Sequence, residues 1–171
     1  MFEIEAKVRL KAADLKRLRK QIPQFARFKK NSLKKDHYYG TSKRFFVRLR
    51  QKKDETNLNI KEKIRGGGFE LNPELKIEVA SFAAFERCLT MLGIPKTDCK
   101  EKHSEIYHYK NFQIELNHIK GLGDFLEIEI LVKNKKQIPR ARQSLTALFK
   151  SLGFSPRQFE RKYYLELLNH V

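Results

Sequence analysis

Hydrophobic and polar residues alternate without a break from Phe2 to Leu10. Phe2, Ile4, Ala6, Val8 and Leu10 fall on one face, and Glu3, Glu5, Lys7 and Arg9 on the other. This period-two pattern predicts a strand with one face in an apolar core. The alternation returns in Phe45–Arg50, where Arg48 and Arg50 oppose Phe45, Val47 and Leu49, and in Leu58–Ile64, where Lys61 and Lys63 oppose Leu58, Ile60 and Ile64. It returns again in Leu75–Val79, with Lys76 and Glu78 on the polar face, and in Phe125–Ile130, with Glu127 and Glu129 there. Strands are also expected over 100–110 and 112–117, and a weaker alternation runs from Lys35 to Tyr39 before Gly40. Residues 25–35 are basic and follow neither period.

Three segments follow the helical period instead. Ala12–Gln21 places Leu15, Leu18 and Ile22 on one stripe, has Asp14 in its first turn and is ended by Pro23. Phe82–Leu92 follows Ser81 as N-cap and stops at Gly93; its stripe includes Cys88, read as a packed small hydrophobe. Pro139–Leu152 uses Ala141, Leu145, Leu148 and Leu152, and Gly153 stops it. The tail from Pro156 to Leu168 reads as a short helix. Amphipathic helices need an apolar surface to cover, and the apolar strand faces are the partner on offer. The expected architecture is α+β: one domain over 1–171 in which an antiparallel sheet curls into a barrel, helices outside and charged strand faces within.

Composition sharpens that picture. Lys+Arg number 37 against 20 Asp+Glu, a net charge of +17 that calls for an anionic partner. The two cysteines are too few for a disulfide framework or a zinc site, and with no basic-then-apolar leader or long apolar run they suggest a cytoplasmic protein without a membrane partner. No histidine spacing suits zinc. Acids concentrate on two strands (Glu3, Glu5; Glu127, Glu129), while bases dominate the others (Arg48, Arg50; Lys61, Lys63; Lys76; Lys102). Oxygen ligands suit Mg²⁺ or Mn²⁺, and surrounding Arg and Lys suit several phosphates at once. No Walker loop is present, so side chains rather than backbone amides would hold the phosphates.

Glu3-Ile4-Glu5-Ala6-Lys7 resembles the E-x-E-x-K signature of the CYTH superfamily, the triphosphate tunnel metalloenzymes. Val47-Arg48-Leu49-Arg50, Ile60-Lys61, Lys76-Ile77-Glu78, and Lys102 with Tyr107 resemble its later strands in the same order. The segment His118-Ile119-Lys120-Gly121-Leu122-Gly123-Asp124-Phe125-Leu126-Glu127-Ile128-Glu129 is similar to that of the class IV adenylyl cyclase branch, and Tyr164-Leu165-Glu166-Leu167-Leu168 to the closing motif. The resemblance implies an eight-stranded antiparallel β-barrel forming a tunnel. It implies metal ligation by Glu3, Glu5, Glu127 and Glu129, and triphosphate binding by Lys7, Arg48, Arg50, Lys61, Lys76 and Lys102, with Lys63 on the same basic strand as Lys61. Lys7, Glu5 and Glu127 would stand at the reacting centre. Asn117 replaces an aspartate common in the family, an amide being a weaker ligand for a hard cation, and Ser104 replaces a second inward base; Glu115 shares a face with Asn117 and could compensate.

The implied activity is conversion of ATP to cyclic AMP and pyrophosphate, with hydrolysis of tripolyphosphate, thiamine triphosphate or nucleoside triphosphates as the alternative. A homodimer is compatible with either. The rival from another class is a polyanion- or RNA-binding module, supported by Lys16-Arg17-Leu18-Arg19-Lys20, Lys29-Lys30, Lys34-Lys35, Lys52-Lys53 and the run from Lys133 to Lys136. Charge runs are usually solvated surface, so nucleic acid is the less favoured partner.

Overall fold

The structure is a computed structural model describing residues 2–40, 45–53, 55–62, 64–66, 69–72 and 74–168, without the side chains at 45–46, 61–62, 64–66, 70–72 and 74. The initial alternation becomes β1 (Phe2–Arg9), followed by α1 (Ala12–Gln21). Then come β2 (Arg27–Tyr39), β3 (Phe45–Lys52), β4 (Glu55–Glu62), β5 (Ile64–Gly66), β6 (Phe69–Asn72) and β7 (Glu74–Glu78). The remainder is α2 (Phe82–Met91), β8 (Lys96–Tyr109), β9 (Phe112–Ile119), β10 (Gly123–Val132), α3 (Ile138–Ser151) and α4 (Tyr164–Leu168). The strands form one antiparallel sheet in the order β5-β6-β1-β10-β9-β8-β2-β3-β4-β7. Eight are the expected barrel strands, and β5 with β6 adds a short hairpin beside β1. The sheet curls so far that side chains of β1 and β7 line one cavity.

The convex face carries the main core. Ile4, Ala6 and Val8 of β1, Ile114 and Leu116 of β9, and Leu126, Ile128 and Ile130 of β10 meet Leu18 of α1 and Leu145 and Phe149 of α3. Each strand sends these residues outward and its intervening charged residues inward, as the two-residue period requires. Helix α2 covers Tyr39 and Leu49 instead, through Leu89, Phe82 and Phe85. Cys88 lies on its exposed side, so the stripe that was to include it is narrower than the periodicity predicts. On strand β7, Leu75 is 57% and Ile77 46% exposed.

Two other departures concern the site. The unassigned basic stretch is most of β2, a 13-residue strand. Its outward face, Leu33, Lys35 and His37, is mostly polar, so the hydrophobic period was absent although the strand is long. The tail is not one helix: after a short turn at Pro156–Gln158, Phe159 bridges Val8, and Glu160 N–H donates to the Lys7 carbonyl at 2.8 Å. That return places Tyr163 and Tyr164 across the end of the cavity.

Leu145 is fully buried between α3 and the convex sheet face, and Leu145→Ala will cost about 2–5 kcal/mol of unfolding free energy. Urea unfolding will show this as a lower midpoint with an unchanged slope.

Candidate active site

The concave face encloses a cavity of about 270 Å³. Register explains its lining, because facing residues on neighbouring strands share a face. Glu5 faces Glu129 and Lys7 faces Glu127 across β1 and β10, while Glu127 faces Glu115 across β10 and β9. On the other side Lys100, Asp36, Arg50 and Asn57 form one row across β8, β2, β3 and β4. Tyr38, Arg48, Asn59 and Lys76 form the next row across β2, β3, β4 and β7. One wall is thus acidic and the opposite wall basic.

The acidic wall holds two carboxylate groups. Oxygens of Glu3, Glu5 and Glu129 lie within 4.8 Å of one another, as do those of Glu115, Glu127 and Glu129. Burial, then the charges of Glu3, Glu115 and Glu127, push the Glu129 carboxyl up to about 8. Near neutral pH this group therefore keeps a proton that a cation could replace. Three clustered oxygen donors fit a hard divalent cation, and the raised Glu129 carboxyl is what burial beside other carboxyls produces.

The second group is already bridged. Lys102 Nζ donates to Glu115 Oε2 at 2.7 Å and to Glu127 Oε1 at 2.8 Å. Lys34 Nζ reaches Glu115 Oε1 at 3.0 Å, and the Tyr164 hydroxyl donates to Glu127 Oε2 at 2.9 Å. Gln113 Nε2 links Glu115 to Glu129 at 2.9 Å to each. Burial opposes ionisation of Glu115, but Lys102 and Lys34 hold its carboxyl far below the usual range. Burial likewise opposes the charge on Lys102, and Glu115 and Glu127 outweigh it.

Asp36 organises the basic wall. It is fully buried and accepts from Arg50 Nε at 2.6 Å and Nη2 at 2.8 Å, with Lys100 Nζ at 3.1 Å. The fork fixes the guanidinium plane. Lys34 and Lys100 are each pushed down to about 8, chiefly by burial, with Lys102 lowering the first and Arg50 and Lys102 the second against the attraction of Asp36. A bound polyphosphate favours their protonated forms. Tripolyphosphate affinity will therefore fall by about tenfold between pH ~7 and ~9.5, which calorimetry at the two pH values will measure.

Of the residues singled out from the sequence, Glu3, Glu5, Lys7, Arg48, Arg50, Lys76, Lys102, Glu115, Glu127 and Glu129 all line this cavity. Asn117 is buried beside it between Ser104 and Glu115. The side chains of Lys61 and Lys63 lie outside the described residues. Lys34 and Lys52, read as surface runs, turn into the cavity. Sequence reasoning missed Asp36, Tyr38, Asn57, Asn59, Lys100 and Gln113, and gave Tyr163 and Tyr164 no site role. Lys100 could have been found by its even spacing from Lys102 and Ser104, and Gln113 by its spacing from Glu115. Among the described residues no histidine belongs to a cluster able to hold a metal.

The fold and site can be set against known proteins. The PH1012 protein of Pyrococcus horikoshii has a solved structure that superposes with a TM-score of 0.85 at 27% identity, covering 98% of this chain and 99% of that one. Adenylate cyclase CyaB of Aeromonas hydrophila is 33% identical over 79 residues, which is 46% of this chain and 41% of that protein. MJ0240 of Methanocaldococcus jannaschii, an adenylate cyclase by provisional name only, is 22% identical over 96% of this chain and 98% of its own length. The CYTH domain model matches residues 1–164, and with the acidic and basic walls meeting in one tunnel this chain belongs to the CYTH domain family.

Proposed function

We propose that the chain is a metal-dependent enzyme that holds a triphosphate along the basic wall and reacts it beside the acidic wall. The observation that carries this reading is the three-carboxylate cluster of Glu3, Glu5 and Glu129 facing Arg48, Arg50, Lys76 and Lys100 across one cavity. Those carboxylates would hold Mg²⁺ or Mn²⁺, which when bound supplies Lewis-acid polarisation of phosphoryl oxygens. The Arg and Lys side chains neutralise the phosphate chain and the charge that grows on the leaving group. Lys7, 1% exposed and opposite Glu127 in the ladder, would orient the reacting phosphate.

The favoured reaction is cyclisation of ATP. The ribose 3′-oxygen forms a bond to the α-phosphorus and its proton leaves to solvent. The bond from the α-phosphorus to the bridging oxygen breaks, and pyrophosphate departs with the electron pair. The match to Aeromonas CyaB and the His118–Glu129 segment favour this reading. A second reading, triphosphate hydrolysis, is favoured by the cavity's chemistry. Among the described lining residues, Leu165 and three tyrosines are the only apolar or aromatic side chains, and the rest suit phosphates better than a base. Incubation with ATP and Mg²⁺ or Mn²⁺, followed by product separation, tests both. Cyclic AMP with pyrophosphate supports cyclisation, whereas orthophosphate without cyclic AMP replaces it with hydrolysis.

A further inference from the structure

We infer that this tunnel takes one divalent cation, because the Lys102 ammonium occupies the place a second would need between Glu115 and Glu127. The inference rests on the metal-dependent reading above and deepens it.

An ammonium has three N–H donors and no acceptor. Lys102 is buried, and Nζ finds Glu115 Oε2 at 2.7 Å and Glu127 Oε1 at 2.8 Å. A third acceptor is Asn117 Oδ1 at 3.2 Å, with the amide turned so that its nitrogen donates to Glu115 Oε2 at 3.1 Å and Ser104 Oγ at 2.6 Å. That orientation is the one its neighbours require, since the reverse points the amide nitrogen at donors and its oxygen at acceptors. All three ammonium hydrogens are then satisfied.

The carboxylates are satisfied too. Glu115 Oε1 accepts from Lys34 and Gln113, and its Oε2 from Lys102 and Asn117. Glu127 divides its oxygens between Lys102 and Tyr164. Glu115 and Glu127 meet the ammonium groups of Lys102 and Lys34, and each oxygen of these two carboxylates has a protein donor. A divalent ion would have to displace Lys102 into an already cationic tunnel, where Lys34 faces it in the ladder. The carboxylate oxygens of Glu3, Glu5 and Glu129 lie within 4.8 Å of one another, and the single cation would sit there.

Asn117 and Ser104 acquire a purpose in this arrangement. An aspartate at 117 would add a third negative charge and lose the amide donors to Glu115 and Ser104. A basic residue at 104 would crowd Lys102. Asn117 and Ser104 are mutually consistent with a site built around an ammonium.

The test counts Mn²⁺ per chain by equilibrium dialysis, with spin–spin coupling read by electron paramagnetic resonance, in the presence of a bis-methylene-bridged triphosphate that cannot react. The expected result is one uncoupled Mn²⁺ in the unaltered protein and two coupled ions in Lys102→Met, whose side chain keeps the length but loses the charge. Two coupled ions in the unaltered protein would overturn the inference while leaving metal dependence intact. So would a folded Lys102→Met that still takes one. If Lys102→Met does not fold, the count in the unaltered protein decides alone. No bound Mn²⁺ in the unaltered protein would overturn the metal-dependent reading itself and the inference with it.

Discussion

Asp36→Ala will lower the unfolding free energy by about 3–5 kcal/mol, the cost of stranding a buried charge. The carboxylate is fully buried and engages Arg50 through two bonds and Lys100 through a third contact. Its removal leaves two cations facing each other in a place with little water. Domains of this size have only about 5–15 kcal/mol in total, so the variant will sit near the edge of folding at room temperature. Urea unfolding measures the loss directly. Acid titration gives the same answer from another side. Burial alone would raise the Asp36 carboxyl, but Arg50 and Lys100 hold it well below its usual value of 3.8. A depressed folded pKa contributes stability that is present above the unfolded value and is lost as pH falls through the folded one. The unaltered protein will therefore lose this contribution below pH 3.8, and Asp36→Ala will show a flatter acid limb.

Glu129→Gln will lower kcat/KM for the triphosphate by about a thousandfold and will raise the melting temperature. The first effect follows from removing a charged oxygen from the candidate cation cluster. Lewis-acid stabilisation is worth several kcal/mol, and each ~1.4 kcal/mol is tenfold in rate. The second follows from crowding. A carboxyl whose folded pKa is raised from 4.5 to about 8 makes the fold progressively less stable across that window, because the unfolded chain releases the proton first. A neutral amide of the same shape removes that penalty while keeping a group next to Gln113. Steady-state kinetics and a thermal scan above pH 8 will separate the two effects. A variant that is less active because it is less folded would show the opposite shift in melting temperature.

Strands whose outer face is apolar could be read directly. Phe2–Leu10, Phe45–Arg50 and Phe125–Ile130 announce both their conformation and which side chains turn inward. Glu3, Glu5, Arg48, Arg50, Glu127 and Glu129 were visible for that reason. Strand β2 was not, because its first half lies on the surface without a hydrophobic period and only a weak alternation marks Lys35–Tyr39. Lys34, Asp36 and Tyr38 were hidden with it. Which inward charges pair with which depends on cross-strand register, and β2 meets β8 from 57 to 81 positions further along, too far for a local pattern to specify. The Lys102 bridge between Glu115 and Glu127 belongs to that class. A row of alternating charges identifies a wall, and only the fold shows which carboxylates Lys102 bridges.

The central claim is that a triphosphate binds in the tunnel through a cation held by the acidic wall. Titration of the bis-methylene-bridged triphosphate into the protein by calorimetry, with Mn²⁺ and then with chelator, tests it most directly. The account predicts saturable binding that is lost with chelator and weakened in Glu5→Ala. Binding that ignores chelator and Glu5, and instead falls steeply with added salt, would contradict it and mark the charge of +17 as a surface for polyanions.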